Sequence, residues 1–214
     1  MGVTLERPTL HVEGEDDKHT IIHLLTRHGI SFDLGPRPVD IKVEGCDTKV
    51  LKEMKVAVKA ASGRSVGFVI DTDRAIADRW QQVCSELKPL GFPMPDSPPE
   101  SGYIQDLPSL RVRVGVWLMP DNKQDFGKLE NLLRVLVPKD DPLLSHAEKS
   151  TDVAADIGAS FTANDRIKAV LHSWLAWQRE PGLPYGTAVK ARFFEADAAV
   201  AQDFVKWFKA VYRI

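Results

Sequence analysis

The residues whose types and spacing suit chemistry fall in two acidic clusters, each closing an apolar run. Glu13 and Asp17 follow Thr9-Leu10-His11-Val12, and Asp71 and Asp73 flank Thr72 after Val66-Gly67-Phe68-Val69-Ile70. Alternate residues of an extended segment point the same way, so Asp71 and Asp73 can face one cation. Converging carboxylates repel one another unless a cation sits among them, and hard oxygen ligands suit Mg2+ or Mn2+. Such a site can polarise a phosphate and activate water. Glu13 is hard to place otherwise, because a carboxylate at a buried strand end needs a partner or a site. Glu15 and Asp16 are accounted for by the dipole of the helix they open. Asp73 is also well placed to cap the helix that follows it.

These residues need strand ends to carry them. Alternating strand and helix patterns supply those ends over the first two-thirds of the chain. Strands are expected at 9–13, 39–44 and 65–70, with helices at 16–28, 48–62 and 74–90, and Gly29 and Gly63 act as helix stops. The near-continuous apolar run at 65–70 suits a central parallel strand buried on both faces. Residues 91–108 hold five prolines and read as a loop. A strand at 112–118 and a short helix at 128–136 follow. Beyond Pro138 only helices are expected, at 165–178 and 196–212, with Trp174, Trp177, Trp207 and Phe208 as core contacts. The order βαβαβα predicts an α/β fold with a mainly parallel sheet flanked by helices and right-handed crossovers. The division expected is an α/β domain at 7–137 with a helical C-terminal extension at 138–214 packing on it.

Composition bounds the partners. The 214 residues carry a formal net charge of −2, so the monomer has no global basic field, although a local Lys/Arg patch stays open. Cys46 and Cys84 are the only cysteines, too few for a disulfide framework or a multi-cysteine zinc site. The first seven residues lack the basic and apolar pattern of a signal peptide, and no apolar stretch approaches the ~20 residues of a membrane span. A cytoplasmic protein with no membrane partner is expected. Lys49 opens the second helix near the expected site and is a candidate phosphate contact. His19 and His23 have i,i+4 spacing but no evident third zinc ligand.

The pattern Leu10-His11-Val12-Glu13-Gly14-x-x-Asp17, then Ile70-Asp71-Thr72-Asp73, resembles a Toprim domain, the catalytic module of topoisomerases, bacterial primases and OLD-family nucleases. The Gly-containing turn Glu44-Gly45-Cys46-Asp47 resembles OLD-like members. The whole chain is similar to an uncharacterised bacterial Toprim-related family, through Pro120-Asp121-Asn122, Gly127-Lys128-Leu129-Glu130 and the Pro181-Gly182…Tyr185-Gly186 turn. The resemblance implies a Toprim-like sheet and a Mg2+- or Mn2+-dependent nuclease or phosphotransferase. Glu13, Asp71 and Asp73 would be catalytic and hold the metal, with Asp17 and Glu130 as further ligands. Nucleic acid is the implied substrate, with DNA and RNA both open, and a partner ATPase or protein subunit is an expected associate. The alternative is a non-catalytic Toprim-fold subunit of a nucleic-acid-processing complex. No tyrosine-bearing second domain accompanies the pattern, which argues against a topoisomerase.

Overall fold

The computed structural model describes residues 7–33 and 35–214. The leader expectation rests mostly on residues 1–6, outside that range. One five-stranded sheet organises the chain. It is built from β1 (Thr9–Val12), β2 (Asp40–Val43), β3 (Ser65–Ile70), β4 (Tyr103–Leu107) and β5 (Val112–Leu118) in the order β2-β1-β3-β5-β4. Every pairing is parallel except β4 with β5. The helices are α1 (Glu15–Arg27), α2 (Asp47–Ala60), α3 (Ile76–Leu87), α4 (Leu129–Val135), α5 (Pro142–Asp156), α6 (Arg166–Ala176), α7 (Tyr185–Lys190) and α8 (Ala199–Tyr212). This is the mainly parallel α/β architecture with C-terminal helices that the sequence predicts, consistent with a Toprim-like fold.

Two cores sandwich the sheet. Strand alternation sends Val66, Phe68 and Ile70 with Val114, Val116 and Leu118 to one face, where α2 and α3 cover them. Leu10, Val12, Val69 and Trp117 face the other side and pack with α1, α4 and α8. On that second face the middle of the sheet is cut away. Gly67 and Gly115 are register partners. A Cβ at Gly115 would collide with Val211, and one at Gly67 with the Tyr212 hydroxyl. The missing side chains let α8 lie directly on β3 and β5. Ser65 Oγ donates to Val211 O at 2.8 Å, and the Tyr212 hydroxyl to Thr9 O at 2.8 Å. The two parts of the chain therefore share one core.

Three local expectations differ. The proline-rich stretch read as loop contains β4, an edge strand whose antiparallel pairing with β5 needs only five residues. Helices α5 and α7 lie where none was read. Asp73 does not cap α3. Ala75 is its N-cap, and Asp125 from the loop after β5 accepts from Ile76 N at 2.7 Å instead. Among the described residues no helix is long and apolar enough to cross a membrane.

Candidate metal centre

Glu13 leaves the end of β1, and Asp71 and Asp73 leave the end of neighbouring β3. Parallel pairing aligns these carboxyl ends, the position at which open α/β sheets bind ligands. One oxygen from each of Glu13, Asp71 and Asp73 lies within 4.8 Å of the others. Glu13 Oε1 also accepts from Asp71 N at 2.8 Å, which ties the two strand ends together.

The loop bearing the aspartates is sewn to the loop after β5. Thr72, buried between the two aspartates, receives the Gly127 N–H on its hydroxyl oxygen. Its own N–H and hydroxyl donate back to Gly127 O at 2.8 and 3.0 Å. Phe126 N donates to Arg74 O at 2.9 Å. Gly127 permits this approach, because a Cβ there would strike Met119 O. The stitching delivers Lys128 and Glu130 to the site. Lys128 Nζ lies 3.0 Å from Asp73 Oδ1, and Arg79 Nη2, almost wholly buried, lies 3.9 Å from Asp73 Oδ2 and 2.8 Å from Asp47 Oδ2. Asp73 has φ +47°, a left-handed conformation that Asp tolerates better than most residues.

Burial pushes the Glu13 carboxyl up to about 8; the Asp71 N–H opposes this, and the charges of Asp17, Asp47 and Asp73 add to it. Burial likewise raises Asp71 well above the carboxylate range, reinforced by Asp17, Glu13, Asp73 and Glu130. Asp71 Oδ1 is buried and has no hydrogen-bond partner. A buried, unpartnered carboxylate oxygen is costly. The set of hard oxygens around it fits a small divalent cation.

The other expected residues divide. Asp17 is buried and turned back on its own helix, where it accepts from Gly14 N at 2.9 Å. Burial raises it to about 7, against that hydrogen bond and with help from the Glu130 charge. It stands beside the three-carboxylate group rather than in it. Glu130 lines the cleft over Glu13, Asp71 and Asp73. Lys49 does not line it; its side chain is exposed, with Nζ over Gly45. The cations that line the cleft are Lys128 and Lys168. No local pattern marks Lys168 for the site, because its place depends on how α6 folds back over the sheet end. The cleft, of about 230 Å3, takes its far wall from Asn164, Asp165 and Lys168, so the helical part of the chain helps enclose it. His19 instead pairs with Glu15 at 3.4 Å, and the described residues offer no His-containing metal group. Trp174 and Trp207 are core residues as read, whereas Trp177 is partly exposed and packs on His146.

Fold and site together define an α/β protein with a carboxylate cluster at the ends of adjacent parallel strands. Residues 7–213 match the family described as "Protein of unknown function (DUF3226)", and the chain belongs to that family. No curated protein and no solved structure matches it.

Proposed function

We propose that this protein is a Mg2+- or Mn2+-dependent phosphodiester hydrolase of the Toprim type acting on nucleic acid. The observation that supports this best is the convergence of Glu13, Asp71 and Asp73 around the buried, unpartnered Asp71 Oδ1. These three residues would hold the cation, with Glu130 at the rim. A divalent ion there supplies Lewis-acid polarisation of a phosphate oxygen and a more acidic water. Glu13, its carboxyl raised to about 8 by burial in the metal-free protein, would release that proton as the cation binds. Lys128 and Lys168 offer donors to a phosphate entering the cleft. Asp73 is flanked by Lys128 at 3.0 Å and Arg79 at 3.9 Å.

The test is cleavage of supercoiled plasmid, single-stranded DNA and RNA by the purified protein in Mg2+ or Mn2+, alongside Asp71→Ala. Metal-dependent cleavage that Asp71→Ala lacks, while remaining folded, is the expected result. Cleavage that persists in Asp71→Ala, or none by a protein that binds Mn2+, refutes the hydrolase reading.

A further inference from the structure

The opposite end of the sheet carries the opposite charge. Two grooves of about 400 and 390 Å3 meet at Arg64 and Ser65, the approach to β3. The first runs along the starts of β1 and β2 and holds Arg7, Lys42 and Arg64. The second crosses to the start of β5 and the end of β4, where Arg111, Arg113 and the C-terminal Arg213 line it. Six cations therefore follow the amino-terminal rim of the parallel strands. Among the described residues two carboxylates line the grooves with them, Asp40 beside Arg7 at 3.3 Å and Asp106 shared by Arg113 and Arg213. Among the described residues that line the grooves, cations outnumber carboxylates six to two, on a chain whose formal net charge is −2. The cations come from five separate segments, so no run in the sequence announces them.

Their arrangement selects the ligand. A small anion needs donors that converge on one point, whereas these are strung across the strands from β2 to β4, roughly 19 Å at the usual strand spacing. A repeating polyanion matches such a row. Five of the six are arginines, whose planar forks suit phosphate oxygens better than point charges do. No Phe, Tyr or Trp among the described residues lines either groove, so the strip offers no platform for unstacked bases. We infer that this rim is a binding surface for the phosphate backbone of a nucleic-acid duplex, read without regard to sequence. It lies about 20 Å from the carboxylate cluster, the length of β3 at the usual rise per residue. It does not rest on the proposed hydrolysis and stands even if the acidic site is inert.

The test is fluorescence anisotropy of a labelled 20-base-pair DNA duplex in EDTA, over a series of KCl concentrations upward from about 50 mM. The wild type should bind with a log–log salt slope of about −3 to −4, the value for about four phosphates. Lys42→Gln/Arg111→Gln/Arg213→Gln, three exposed side chains, should bind at least tenfold more weakly with a slope near −1. Lys52→Gln/Lys139→Gln/Lys149→Gln has the same net charge and should bind like the wild type. The inference fails if the wild type does not bind, or if both triple variants lose affinity equally. It fails if the rim variant, confirmed folded by circular dichroism, binds unchanged. It also fails if single-stranded DNA or poly-glutamate binds as tightly as the duplex, which would assign the rim to a different partner.

Discussion

Replacing Asp71 by asparagine should stabilise the protein when no metal is present and destabilise it, relative to the wild type, when metal is. The three carboxylates lie within 4.8 Å of one another. Two unit charges at that separation repel by about 3.5 kcal/mol at an effective dielectric of about 20. The folded protein avoids part of this by holding protons. Glu13 is raised to about 8 and Asp71 well above its ordinary value. A carboxyl raised by folding contributes stability that is full below its unfolded pKa and is lost as pH rises through the folded value. The metal-free wild type should therefore lose stability from about pH 4.5 to about pH 8. Discounted for partial exposure of the site, the relief in Asp71→Asn should be about 2 kcal/mol at pH 8 and under ~1 kcal/mol at pH 5. For a chain of this size the former is a rise in Tm of about 4–8 °C. Mn2+ at a hundred times its Kd should stabilise the wild type by about 2.7 kcal/mol and leave Asp71→Asn nearly unmoved. Thermal melts at pH 5 and pH 8, in EDTA and in MnCl2, would show the curves crossing. A lower Tm for Asp71→Asn in EDTA at pH 8, or an equal Mn2+ response in both proteins, would refute the reasoning.

Two further outcomes follow from neighbouring contacts. Lys128→Met removes the ammonium 3.0 Å from Asp73 and should tighten Mn2+ binding several-fold, about 1 kcal/mol by calorimetry; unchanged or weaker binding would mean that Lys128 does not compete with the cation. Gly115→Ala puts a Cβ against Val211 and should cost about 1–3 kcal/mol in urea denaturation, with no such cost at exposed Gly63→Asn, whose left-handed φ of +78° asparagine tolerates.

Much of the site was legible because its residues sit where a local pattern ends. β3 and β5 have the expected bounds, since strands buried on both faces read as unbroken apolar runs. Glu13, Asp71 and Asp73 follow from those strand ends. What escaped depends on tertiary placement. β4 is a short edge strand, and Tyr-Ile-Gln-Asp-Leu amid prolines carries too little alternation to stand out. α5 buries only Ala147 and Thr151, so it has no strong apolar stripe. The cap of α3 comes from Asp125, 49 residues beyond the amide it meets. Lys49 stands at a helix start, a local signal for a phosphate contact, but the cleft faces the loop after β5 and α6, and Lys128 and Lys168 reach it instead.

The seat that Gly67 and Gly115 cut for α8 also bears on how the chain is made. All five strands precede α8 in sequence, so the ribosome delivers a complete sheet before it delivers the helix that covers one face. Until then Trp117 and its neighbours stay wet, and the glycines offer nothing to fill the trough themselves. A nascent chain in that interval presents the kind of exposed apolar surface that makes folding intermediates prone to aggregate. Slow translation between α7 and α8 would lengthen the exposure and raise the yield of aggregates. A codon change in that interval would alter soluble yield without altering a single residue.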